Sequence, residues 1–169
     1  MMNVCFIFML TFSLLSAVDE IKLIELRNLY EQAINNEKAN LRLANLIHSD
    51  NNSATIIGYK GAGTMILANH VFSPISKLNK FNRGKKLLEQ AVKQDPTNLE
   101  LRYLRLTIQT NVPKFLGYSK EINTDKTILI NGLEQLSDKD LKNRIVDYLL
   151  KSSICTNDEL KKVSLWKNK

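Results

Sequence analysis

Glycine and proline are scarce in this chain of 169 residues, at 6 and 3, which argues against a sheet-rich fold whose hairpins and bulges draw on both. Cysteine is scarcer still. Cys5 lies in an apolar run at the N-terminus and Cys155 near the other end, so a chain that loses its N-terminus has no internal disulfide. The two histidines, His48 and His70, have no Cys, His or carboxylate at the spacing of HExxH or Cx2C, which removes the common zinc arrangements. The GxSxG elbow of a serine hydrolase is missing as well. No metal and no cofactor is expected, and catalysis is not expected. A small hydrolase stays open as a third reading only through carboxylates, or a Ser/His pair, that meet in three dimensions.

Charge of one sign is in excess without forming a block. The net charge is +7 and the isoelectric point about 9.4, yet Lys and Asn are abundant throughout and no run of five basic residues occurs. A nucleic-acid partner is therefore not expected, while contact with a membrane surface is an alternative. A hydrophobic share of 44% over 169 residues suits one domain with a core of its own, and the wealth of Leu, Ile, Lys, Glu and Asn favours an all-α fold.

Residues 4–15, VCFIFMLTFSLL, form an uncharged run followed by Ser16-Ala17 and the acidic pair Asp19-Glu20. The run is too short to span a bilayer and fits the hydrophobic part of a signal peptide. Residues 1–17 are read as that signal and 18–169 as a single helical domain, exported to the periplasm or beyond. The absence of Lys or Arg from the opening Met1-Met2-Asn3, with Leu15 three residues before the cut, makes an uncleaved N-terminal anchor the alternative.

The rest punctuates itself into about eight helices. Leu23, Leu26, Tyr30, Ala33 and Ile34 give the first an apolar face, opposite Lys22, Glu25, Arg27 and Glu31. A second follows Asn35-Asn36, with Leu41, Ala44, Leu46 and Ile47 inward, and stops near Ser49 to Asn52. Gly58, Gly61 and Gly63 then interrupt a helical pattern at about 1 kcal/mol each, which predicts a neighbouring helix passing close by. Their spacing matches neither GxxxxGK[ST] nor GxGxxG. Pro74 opens a long helix reaching about Lys93 with Phe81, Gly84, Leu88 and Ala91 on one face, and Asp95-Pro96 stops it. Thr97 or Asn98 caps the next, which repeats Leu101, Leu104 and Ile108.

Beyond Asn111-Val112-Pro113 the segment KFLGYSKEI has no helical period, and its apolar density predicts that it folds back onto the body. Asn123 or Thr124 is expected to cap a helix over Asp125 to Leu136. Ser137 with Asp140, and Thr156 with Glu159, resemble capping boxes for the last two helices. Cys155 is expected half-buried beside its cap, and Trp166 over the end of the stack, with Lys167 and Lys169 in water.

The candidate site is the cluster Arg102, Arg105, Gln109 and Asn111, leading into Phe115 and Tyr118. Steps of three and four place Arg102, Arg105 and Gln109 on one helical face. Two roles suit them: bonding the backbone of the irregular loop, which must be satisfied somehow, or forming a polar groove for a peptide or acidic ligand.

Gly84, Leu88, Ala91 and Pro96 stand at the spacing of the second helix of a tetratricopeptide repeat, and Asp95-Pro96-Thr97-Asn98 resembles its closing turn. Leu101, Leu104 and Ile108 are similar to the first helix of a following repeat, although Arg105 replaces the usual small residue and the period breaks at Pro113. The run YKGAGTMILANH, then KLNKFNRGKKLLEQAVKQDPTNLELRYLRLTIQTNVPKFLGY, then Asp125-Lys126, also resembles a family of small, secreted, uncharacterised proteins of Bacteroidota bacteria. That resemblance implies export, an α-hairpin fold and no activity, and the fold expected is all-α, packed antiparallel helical hairpins resembling a fragment of a tetratricopeptide-like α-solenoid. The expected function is that of an exported binding or scaffold module without catalysis, for a protein or peptide partner. The alternative is an accessory factor held at a membrane surface by its uncleaved N-terminus and basic side chains.

Overall fold

Capping residues set the helix boundaries in this chain. The computed structural model describes residues 22–47 and 53–167, and within them every regular element is helical. Helix α1 covers residues 22–33, and α2 (Glu37–Leu46) starts where the Asn36 side chain accepts from the Ala39 N–H. Ser53 caps α3 (Ala54–Leu67). Ser73 caps α4 (Pro74–Gln94), where Pro74 takes the first turn that needs no N–H from it. Asn98 accepts from two backbone N–H groups at the start of α5 (Leu99–Asn111). Then come α6 (Ile122–Gly132), α7 (Lys139–Lys151) and α8 (Asn157–Ser164), the last opened by the expected Thr156/Glu159 capping box.

Several boundaries and faces differ from expectation. Helix α6 begins at Ile122 with no side-chain cap, so Asn123 and Thr124 lie inside it. Asp138, rather than Ser137, caps α7 through the Leu141 N–H, which leaves Asp140 free for an ion pair. In α2 the inward residues are Ala39, Asn40, Leu43 and Ile47, while Leu41 is exposed. The i, i+4 line Ala39, Leu43, Ile47 outcompetes the line through Leu41, because Gly63 of α3 leaves the space that Leu43 occupies. The signal segment 1–17, the expected loop Ser49 to Asn52, His48 and Lys169 lie outside the described residues.

The glycines in α3 do what their cost predicts. A Cβ on Gly61 would stand 2.6 Å from the Leu88 nitrogen and 2.7 Å from the Gly84 oxygen, and one on Gly84 would stand 2.5 Å from the Gly61 oxygen. Helices α3 and α4 therefore meet backbone to backbone, in the most extensive pairing among helices α2 to α8. Adding a methyl group at either position forces the two helices apart.

Two apolar cores result, with α5 between them. Leu101, Leu104 and Ile108 of α5 join Leu26, Tyr30, Leu43, Tyr59, Phe81 and Leu88 in one. Tyr103 and Leu106 join Leu129, Leu133, Ile145, Leu149 and Val163 in the other, which Trp166 and Cys155 half cover. From Glu100 to Gln109 every residue of α5 is buried. A helix enclosed on all sides that carries Glu100, Arg102, Arg105, Thr107 and Gln109 must find partners for them, since an unpaired buried charge is strongly unfavourable.

Candidate functional site

Those partners arrive from opposite sides. On the α6 side, Asp125 has no solvent exposure and accepts from both predicted arginines. Arg105 donates from Nε to Oδ2 at 2.7 Å and from Nη2 to Oδ1 at 2.7 Å, and Arg102 Nη1 donates to Oδ1 at 2.9 Å. Arg102 also donates to the Pro96 carbonyl at 2.6 and 2.9 Å, which clamps the turn between α4 and α5. Arg105 reaches Glu89 of α4 at 2.8 Å, and the Tyr118 hydroxyl donates to the other oxygen of Glu89 at 2.5 Å. Burial and that acidic partner push the Tyr118 phenol well above its ordinary range.

The predicted site residues thus divide. Arg102 and Arg105 come together, and Arg105 supports the loop through Glu89 and Tyr118 rather than through the loop's carbonyls. The loop satisfies its own backbone in the short turn Lys114–Leu116, with Leu116 N–H to Pro113 O and Gly117 N–H to Lys114 O, and Gly117 supplies the left-handed φ of 61° that closes it. Tyr118 is buried against Phe81 with ring centroids 5.9 Å apart, while Phe115 is 85% exposed. Gln109 is buried beside the arginines' face, and its Oε1 has no hydrogen-bond partner among the described residues. Asn111 is not part of the group. Its amide donates to the Thr107 carbonyl at 2.7 Å, on the side where Thr110 meets the Tyr148 hydroxyl.

On the opposite flank stands Arg27, which its helical position placed with the solvent-facing residues and which the structure buries to 2% exposure. Its Nε and Nη2 donate to the two oxygens of Glu100 at 2.8 and 2.9 Å, its Nη2 also to Asp138 at 2.7 Å, and its Nη1 to Asp140 at 2.9 Å. Tyr59 completes Glu100 with a 2.6 Å bond, and burial together with that carboxylate pushes its phenol far up. Burial works against the charge of Asp138, yet the bonds from Arg27 and the Leu141 N–H outweigh it and hold its carboxyl below the ordinary 3.8. Asp140 is lowered in the same way, burial being outweighed by Arg144 and Arg27. Arg144 extends the cluster to Glu31 at 2.7 Å.

Glu89, Glu100, Asp125, Asp138 and Asp140 were not singled out from the sequence as ion-pair partners. One signal was available: two cations on one side of a helix that carries apolar residues on its other faces demand anions, although nothing in the spacing says which ones. Cys155 is half-buried as expected, and burial beside Glu159 raises its thiol. His70 places Nε2 3.0 Å from the Ala33 carbonyl. Among the described residues no three His, Cys, Asp or Glu side chains are grouped to hold a metal ion.

What these clusters leave unmatched is concentrated on α4. Ile75, Leu78, Asn82, Lys86, Gln90 and Lys93 follow one another at steps of three and four, and all six are exposed. At the start of that line Phe72 is 101% and Ile75 74% exposed, with Leu78 close to half. Between Ser53 and Gln94 the chain has seven Lys and Arg against the single acid Glu89, so this hairpin holds six of the seven net positive charges. Lys60, Lys77, Lys80, Arg83, Lys86 and Lys93 make no ion pair among the described residues. Comparison with protein-family models, curated proteins and solved structures finds no significant match to the chain.

Proposed function

We propose that this chain is an exported, non-catalytic helical module, tetratricopeptide-like at its centre, that acts by docking through the exposed face of α4. The observation that carries the reading is the contrast in matching. Each buried ionised side chain of α5 is paired inside the fold, which makes Arg102, Arg105 and Asp125 a brace between helices rather than a groove for a ligand. The α4 face combines large exposed apolar side chains with unpaired cations, the pattern of a surface that meets something else. A protein or peptide and a membrane surface are the two kinds of occupant such a face suits. The close approach of α3 and α4 at Gly61 and Gly84 supports the helical-hairpin reading of the centre.

The test is retention on the native cell envelope. Ile75→Ser, Leu78→Ser and Lys86→Glu combined are expected to release the protein into the wash with an unchanged melting curve, because all three positions are exposed. Arg102→Gln is expected to do the reverse, lowering stability without releasing the folded protein. Retention unchanged by the α4 substitutions overturns the docking reading. Mass spectrometry of the same material is expected to find an N-terminus near Val18, and an intact Met1 would replace the cleaved signal with an anchor.

A further inference from the structure

We propose that the occupant of the α4 face is an anionic lipid bilayer, an inference that rests on reading this face as the docking surface and names its partner. Three features of the face point to lipid phosphate and acyl chains. The apolar side chains are gathered at one end of the face: Phe72, Ile75 and Leu78 fall within seven residues at the connector and first turns of α4, and Phe72 is fully exposed. Such a tip suits shallow insertion below the headgroups. A protein interface instead surrounds its apolar centre with a polar rim.

The second feature is the kind of cation. The basic residues of α4 are Lys77, Lys80, Lys85, Lys86 and Lys93 against one arginine, Arg83. Protein interfaces favour Arg and are depleted in Lys, because the planar guanidinium recognises a carboxylate in two directions at once. A flexible, strongly hydrated ammonium suits a laterally mobile sheet of phosphates, which asks for charge and no fixed geometry. Long lysine stems also allow the charge to reach phosphate level while apolar neighbours sit deeper.

The third feature is where the counter-charge lies. Lys86 and Lys93 continue the line of Ile75 and Leu78 and Arg83 borders it, with no acid in α4 before Glu89, whose two oxygens are already held by Arg105 and Tyr118. The rest of the chain carries one net positive charge, so an anionic plane orients the molecule with this hairpin toward it. No described helix is long and apolar enough to cross the bilayer, and the attachment is therefore a seating on the surface. A nucleic-acid duplex satisfies the lysines equally but leaves Phe72 and Ile75 without a use.

The test places a reporter at the tip of the protein as its host produces it. With Trp166→Phe removing the one native indole, Phe72→Trp is expected to shift its emission to the blue on vesicles containing phosphatidylglycerol and to be quenched by bromine-bearing acyl chains, with neither change on phosphatidylcholine alone. The N-terminal segment holds no tryptophan, so the indole signal reports residue 72 itself. Arg83→Gln, Lys86→Gln and Lys93→Gln are each expected to weaken vesicle binding about five-fold, additively in free energy and less so in high salt. An indole that stays solvent-exposed on anionic vesicles overturns the inference. If residue 72 then cross-links to an envelope protein, the docking reading stands with a protein occupant, and if the α4 substitutions change neither lipid nor envelope binding, both readings fall together.

Discussion

Arg27 and Asp125 are the enclosed centres of two ion clusters on opposite flanks of α5, and the clusters invert each other in charge and in reach. The first surrounds a cation with carboxylates, two of which, Asp138 and Asp140, lie 111 and 113 residues away along the chain. The second surrounds a carboxylate with cations from a single helix, 20 and 23 residues away. The first therefore ties α1 to α7 across both cores, whereas the second braces α4, α5 and α6 where the chain already keeps them close. They also differ in their tolerance of loss. The aspartates around Arg27 are partly open to water and can rehydrate, while the arginines around Asp125 are buried and cannot.

That difference predicts a ranking. Asp125→Ala leaves two buried guanidiniums short of their anion and is expected to cost about 3–5 kcal/mol, read from the shift of the denaturant midpoint at constant slope. Arg27→Ala is expected to cost about 3 kcal/mol, the lower end of that range, because Tyr59 still holds Glu100 and the two aspartates reach solvent. A larger loss at Arg27 than at Asp125 would show that the long-range tie, and not local desolvation, dominates.

A pH series sharpens the same contrast. Asp138 and Asp140 have folded-state values below the ordinary 3.8, so their contribution is fully present above that value and is lost as pH falls through the depressed folded values. Stability is expected to decline on the acid side of about pH 4, with a shallower slope in Asp138→Asn. That variant keeps a good helix cap and loses only the charge opposite Arg27, for a cost of about 1 kcal/mol at neutral pH. Smallest of all, Phe115→Ser, at an exposed position outside both clusters, is expected to change the unfolding free energy by no more than about 0.5 kcal/mol.

Much of the fold was legible because its signals are local. Pro74, Asp95-Pro96, Asn98 and the Thr156/Glu159 box act within one helical turn, and a cap bonds N–H groups two or three residues away whatever the rest of the molecule does. The close approach at Gly61 was legible for a related reason: three glycines in a helix are unfavourable unless something passes near them. The apolar lines through Leu26, Leu88 and Leu104 likewise named buried residues, all three with no solvent exposure.

The faces of charged residues were not legible, because a helical period reports polarity and not partnership. Polarity alone groups Arg27 with Lys22, Glu25 and Glu31 against the apolar residues of α1, and only the arrival of Glu100, Asp138 and Asp140 from distant helices makes its position an enclosed one. Arg102 and Arg105 were recognised as a pair on one face, but their anion, Asp125, reads in the sequence as an ordinary polar residue of the next helix. Leu41 shows the converse, since an apolar residue faces water when a neighbour's glycine favours Leu43 instead.

Composition and local pattern by themselves determined that this chain is helical, where most of its helices stop, and that no familiar catalytic or metal-binding spacing occurs in it. Tertiary structure alone decided which charges are buried, that α5 is enclosed between two cores, and that Phe72, Ile75 and Leu78 stay exposed at the start of the basic helix α4. The physical reason is range. Backbone capping and helical periodicity act over three or four residues, whereas desolvation and ion pairing depend on every group that folding brings within a few ångströms.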